Sequence, residues 1–184
     1  MLMIELVRIG KELIIIVLLN LVLGVRKLEK IAFIGVKEKG KWMVRKLMRA
    51  GFEVNMFVRE KDSINDLLVS GGVYKSTIAK CIDGCNKIIT FSDFPCEQEE
   101  DIFGTSNIVE SAMDGAYIVS IDTRQELSCR LEEEGKKRGL HIVHALSTGD
   151  TDNAKYGTTV YNLSGDDEDI EVCRSLFEAM GTIE

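Results

Sequence analysis

Four consecutive apolar residues, Ile31-Ala32-Phe33-Ile34, run straight into Gly35. So short a stretch with no polar alternation suits a strand buried on both faces, which occurs where helices cover both sides of a parallel sheet. Residues 41–50 then place Met43, Val44, Leu47 and Met48 on one helical face, with Gly51 as a C-cap. Residues 53–58 supply the next strand, completing a βαβ unit of about thirty residues. The alternation persists: helix over 65–70, a short helix over 78–81, strand over 87–91, helix over 102–111 and strand over 117–121. A charged helix over 124–138, strands over 141–145 and 158–164 and a helix over 167–180 follow. The pattern predicts an α/β fold over residues 30–184, a Rossmann-type doubly wound, mainly parallel sheet with helices on both faces and right-handed crossovers.

Composition narrows the partners. With 184 residues, 45% of them hydrophobic, the chain can bury a sizeable core, and Pro95 is its only proline, so disordered and polyproline readings fail. A formal charge of −7 argues against nucleic acid as a general partner. The five cysteines, Cys81, Cys85, Cys96, Cys129 and Cys173, are odd in number and scattered, which reads as reduced thiols and a cytoplasmic protein. Cys81 and Cys85 with His141 and His144 match no standard zinc spacing, so no metal site is expected.

Residues 1–29 read as an apolar N-terminal extension. Its run over 13–25, LIIIVLLNLVLGV, is shorter than a comfortable membrane span, and no small-residue cleavage site follows it. Three readings stand open: a helix packed on the domain or a partner, a membrane anchor, and an upstream extension foreign to the fold.

In a doubly wound sheet, ligands sit at the carboxyl ends of the strands beside the first strand-to-helix turn, where helix amides attract phosphate. That turn is Gly35-Val36-Lys37-Glu38-Lys39-Gly40. It keeps the first and third glycines of the dinucleotide fingerprint G-x-G-x-x-G, but Lys37 takes the second, where a Cβ hinders approach to a pyrophosphate. Lys37, Lys39 and Lys41 gather positive charge in compensation. Arg59 follows the second strand where an acidic residue would hold the ribose of NAD and an arginine would take the 2′-phosphate of NADP, so NADP is favoured over NAD.

These pieces resemble the β-hydroxyacid dehydrogenase family, which includes 3-hydroxyisobutyrate dehydrogenase and is related to 6-phosphogluconate dehydrogenase. The family's opening I-G-L-G-N-M-G-x-P-M-A is echoed from Ile34 to Val44, with Lys39 standing where the family has methionine and Trp42 where it has proline. A-G-x-x-V-x-x-x-N-R is echoed from Ala50 to Arg59, and the family's tail by Gly157-Thr158-Thr159, Ser164-Gly165-Asp166 and Leu176 to Gly181. The resemblance implies an NADP-binding domain, with Phe91 and Ser92 at the position of the M-L-P that lines the nicotinamide side. It places Arg124 at the serine of D-x-S-T in Asp122-Thr123-Arg124-Gln125, and Thr148 and Gly149 in the substrate loop, where Asp150 replaces a second glycine and should repel a carboxylate.

Family members continue into a helical domain carrying the catalytic lysine and much of the dimer interface. The sequence ends at Glu184 before it, so the chain is expected to be inactive alone, with a homo-oligomer or a partner helical domain as possible company. No catalytic residue is identified; Lys155 lies in the right neighbourhood but outside any family motif. A hydrolase reading fails for want of G-x-S-x-G around Ser147, and His144 reads as a core histidine or, alternatively, a proton donor. Trp42 is either core packing or a cover over the pyrophosphate entrance. The alternative function is a non-catalytic Rossmann-fold interaction or ligand-sensing module.

Overall fold

A computed structural model describes residues 28–91 and 95–184, the side chains of residues 95–97 excepted. Residues 1–27 of the expected extension over 1–29, with its apolar run, and Ser92 lie outside the described residues.

The sheet is built from β1 (Lys30–Ile34), β2 (Glu53–Phe57), β3 (Val73–Tyr74), β4 (Lys87–Phe91), β5 (Tyr117–Ile121), β6 (His141–Thr148), β7 (Val160–Gly165) and β8 (Thr182–Ile183). Their order is β3-β2-β1-β4-β5-β6-β7-β8. Every neighbouring pair is parallel except β6 and β7. The chain winds outward from β1 to β3, then crosses back to start β4 on the other side of β1. That reversal opens the crevice in which open α/β sheets hold ligands.

The helices are α1 (Glu38–Arg49), α2 (Asn65–Val69), α3 (Ile78–Ile82), α4 (Pro95–Phe103), α5 (Ile108–Ser111), α6 (Gln125–Lys137), α7 (Thr151–Tyr156) and α8 (Asp167–Met180), with a 3-10 turn over Lys61–Ile64. Strand side chains alternate between two core layers. Ile31, Phe33, Ile89, Phe91, Val119 and Ile121 meet Met43, Val44 and Leu47 of α1 and Cys173, Leu176 and Phe177 of α8. Ala32, Ile34, Ile88 and Ile118 meet the other layer, with Ile78 and Cys81 of α3 and Leu127 and Leu131 of α6. Burying both faces explains why β1 and β4 lack polar alternation.

Besides the short strands β3 and β8 and the 3-10 turn, four further features depart from the sequence expectation. Helix α1 starts at Glu38 rather than residue 41, because Lys37 takes an extended N-cap backbone and Gly40 already lies in the first turn. The helix expected over 102–111 is two helices: the chain breaks between Phe103 and Ile108, where Ser106 adopts a left-handed backbone (φ 57°) and Asn107 donates to the Glu100 carbonyl. Strand β6 runs on to Thr148, paired with β7. Helix α7 was not anticipated; Asp150 caps it by accepting from Asn153 N at 3.0 Å while Asn153 Oδ1 accepts from Asp150 N at 3.0 Å.

Candidate functional site

The turn after β1 is shaped by what glycine lacks. Gly35 has φ +87°, a conformation that L side chains rarely adopt, and its N–H donates to the Phe57 carbonyl at 3.2 Å, binding the turn to β2. Gly40 is buried in the first turn of α1, and a Cβ there would lie 3.3 Å from the Phe91 ring and 3.5 Å from Phe33. Its bare backbone lets α1 settle on β1 and β4, which aims the unpaired N–H groups of the helix start at the crevice. Lys37 has φ −116° and ψ −167°, a backbone any residue adopts, so it departs from the fingerprint without strain.

Beside this turn lies a cavity of about 480 Å³ lined by Gly35, Val36, Lys37, Glu38 and Lys41 from the turn and α1, and by Phe57, Val58, Arg59, Glu60 and Ser63 from the far end of β2. Glycine backbone, helix start and three cations thus converge on one concave surface. Those are the features a nucleotide's ribose and phosphates require, and the residues fit the group.

Expected site residues are placed as follows. Gly35, Val36, Lys37, Glu38 and Arg59 share the cavity, and Gly40 supports it from beneath. Lys39 does not join them: its Nζ donates to Ser147 Oγ at 2.6 Å and to the Gly149 carbonyl at 3.0 Å, so it faces the end of β6 rather than a phosphate. Lys41 lies 3.7 Å from Glu38 and 4.0 Å from Asp66. Phe91 is buried in the core under Gly40, so its side chain forms the floor of the turn rather than a ligand surface. Arg59 grips the buried Asp101 of α4 through two N–H donors, at 2.9 and 3.3 Å, and reaches Glu100 at 3.1 Å. Nothing local to Arg59 signals this fork, which fastens α4 to the end of β2. Arg124 is exposed at the N-cap of α6, and Thr148 and Gly149 are exposed at the end of β6. Lys155 and Trp42 meet each other instead of the crevice: the ammonium stands 5.6 Å from the indole centroid, with Arg45 on the same ring at 4.5 Å.

The grouping that sequence reasoning missed is Lys39, Asp122 and Ser147. Asp122 Oδ1 accepts from Ser147 N at 2.6 Å, Asp122 Oδ2 accepts from the Ser147 hydroxyl, and Lys39 Nζ stands 3.7 Å from Asp122 Oδ2. A second, shallower cavity of about 280 Å³ lies between α6 and β5 to β7, with His144, Glu132, Ser164 and Asn162 in its wall. Burial lowers the His144 pKa, partly opposed by Glu132 3.4 Å away. The Cys81 and Cys85 thiols are pushed up to about 12 and about 11 by burial, and behave as small apolar core groups. Among the described residues, no group of three His, Cys, Asp or Glu is arranged to hold a metal ion. Among the same residues, no helix is long and apolar enough to cross a membrane.

The sequence profile of the NAD binding domain of 6-phosphogluconate dehydrogenase matches residues 30–183. The chain belongs to this family. Within it, the chain is 30% identical over 152 residues to the uncharacterized oxidoreductase YkwC of Bacillus subtilis, covering 82% of this chain and 53% of that protein. It is 26% identical over 155 residues to an NAD-dependent L-serine dehydrogenase of Pseudomonas aeruginosa, covering 84% and 52%. The chain therefore spans about half the length of the curated relatives it matches. Among solved structures, Psf3 in complex with NADP+ and 2-OPP superposes with a TM-score of 0.78 at 19% identity, over 83% of this chain and 55% of that one. A 3-hydroxyisobutyrate dehydrogenase of Mycobacterium tuberculosis with L-serine superposes at 0.77 and 18%, over 85% and 54%. These likenesses show the fold, and the family is that of a dinucleotide-binding domain.

Proposed function

We propose that the chain is the NADP-binding domain of a 3-hydroxyacid dehydrogenase-like oxidoreductase of the cytoplasm. The observation that carries this reading is the cavity where the Gly35 to Lys41 turn faces the end of β2. There the helix start and Lys37 would hold the pyrophosphate, and Val58 to Ser63 would flank the adenosine ribose. Arg59, which Asp101 and Glu100 hold at the cavity wall, is the group this reading assigns to a 2′-phosphate, and Lys37 and Lys41 add positive charge to the same wall, which supports NADP over NAD. When bound, the dinucleotide supplies hydride exchange with a hydroxyacid carbon; the chain's own residues orient and anchor it.

Turnover also needs a positioned proton donor. Arg124 in place of the resemblance's serine, and Lys155 turned onto Trp42, leave that role to a helical domain or to a second copy. The chain alone is therefore proposed to bind without turnover. A second reading, a ligand-sensing or interaction module, is favoured by one feature, the engagement of Lys39 with Ser147 in place of the crevice.

Calorimetric titration of the full chain tests the first reading. NADPH should bind in the micromolar range and about tenfold more tightly than NADH, one charge-assisted contact's worth of discrimination. Arg59→Ala should erase that ratio, whatever it does to stability. No binding by either nucleotide up to millimolar concentration, or tighter binding of NADH, sinks the assignment. Oxidation of a 3-hydroxyacid by the chain at ordinary enzymatic rates would sink the proposal that it binds without turnover.

A further inference from the structure

The crevice has two sides, and a dinucleotide laid across it puts one nucleotide on each side of the strand reversal. The β2 side is the open cavity of about 480 Å³. On the other side, Lys39 bridges three segments. Its Nζ, on a side chain only 14% exposed, contacts Ser147 Oγ, the Gly149 carbonyl and the Asp122 carboxylate. Asp122 sits just past β5 with φ +53°, and Gly149 just past β6 with φ +117°. Asp122, a non-glycine residue in left-handed backbone, keeps that conformation only where surrounding contacts fix it, whereas Gly149 makes its left-handed turn at no steric cost. The Ser147 N–H and hydroxyl on Asp122 are such contacts.

We propose that the site takes the adenosine 2′,5′-bisphosphate half of its ligand only, and that the Lys39-Ser147-Asp122 bridge bars the nicotinamide half until it opens. The inference rests on the dinucleotide reading above. Its ligand class is the adenosine bisphosphates. A methionine at position 39, the residue the family resemblance places there, could neither donate to Ser147 and Gly149 nor pair with Asp122.

The test compares 2′,5′-ADP with NADP+ by calorimetry on the full chain at fixed salt. The two should bind within about threefold of each other, because the nicotinamide half adds no contact while the bridge is closed. Lys39→Met should tighten NADP+ about tenfold and leave 2′,5′-ADP unchanged, as the fraction of open sites rises. Asp122→Asn, which tolerates a left-handed backbone, should shift the ratio the same way by a smaller factor. If NADP+ binds the unsubstituted chain tenfold or more tightly than 2′,5′-ADP, or if both variants leave the ratio unchanged, the bridge does not gate the site, while the dinucleotide reading survives. If neither nucleotide binds at millimolar concentration, that reading fails and the gating proposal fails with it.

Discussion

The two sides of the carboxyl edge are built on opposite principles. Toward β2 the chain removes side chains: Gly35 turns through φ +87°, Gly40 lets α1 rest on Phe91 and Phe33, and a cavity remains. Toward β6 it adds them, and Lys39, Asp122 and Ser147 fill the corresponding space with hydrogen bonds between segments separated by 108 positions at Lys39 and Ser147. One side is a recess whose turn is encoded within six neighbouring residues; the other is a closure that exists only when three distant segments meet. The β2 side should therefore be rigid and depend on packing, whereas the β6 side should be adjustable by charge and by loop stability.

The largest effect is expected from breaking the packed side. Gly40→Val puts a branched side chain where a Cβ alone would lie 3.3 Å from the Phe91 ring. Overpacking of this kind costs about 1–3 kcal/mol and would lift α1 from the sheet. Denaturant unfolding should show that loss, and calorimetry should show nucleotide binding weakened at least about tenfold. A variant of unchanged stability and affinity would mean that the turn does not depend on close helix approach.

A smaller effect should come from loosening the other side. Asp150 caps α7 directly after Gly149, whose carbonyl holds Lys39. Asp150→Ala should cost about 1 kcal/mol, roughly 2–4 °C in Tm. It should leave 2′,5′-ADP affinity on the β2 side intact while raising protease sensitivity around residues 147–157. Equal weakening of the β2 cavity would show that the two sides are coupled and that the contrast between them is overdrawn.

The same contrast explains what could be read from the sequence. β1, β2, β4 and β5, the Gly35 to Gly40 turn and helix α8 were legible because each is specified by neighbours in the chain: apolar runs, a glycine spacing, a 3.6-residue stripe. The short strands β3 and β8 carry too few residues for periodicity to register. Helix α7 left a usable trace in Asp150-x-x-Asn153, a pairing of cap and third residue that uses Asn where Glu or Gln is usual. Arg59 was legible as a cation past β2 but not as the partner of Asp101, 42 positions away. Lys39 was misplaced for the same reason, since nothing local to Lys37-Glu38-Lys39 distinguishes a phosphate contact from a bridge to β6.

The smallest expected effect concerns pH and again belongs to the β6 side. His144 lies on β6 in the cavity wall beneath α6, with both ring nitrogens buried and Glu132 Oε1 3.4 Å from Nε2. Burial dominates and lowers its pKa in the folded chain below the usual 6.5. The unfolded chain therefore binds more protons than the folded one as pH falls through about 6.5 toward the folded value. The stabilisation from a neutral His144 is present above that range and is lost on acidification, with a slope that one proton limits to about 1.4 kcal/mol per pH unit. Tm measured between pH 7.5 and about 5 should fall less steeply in His144→Gln than in the unsubstituted chain. Parallel curves would place the acid sensitivity elsewhere.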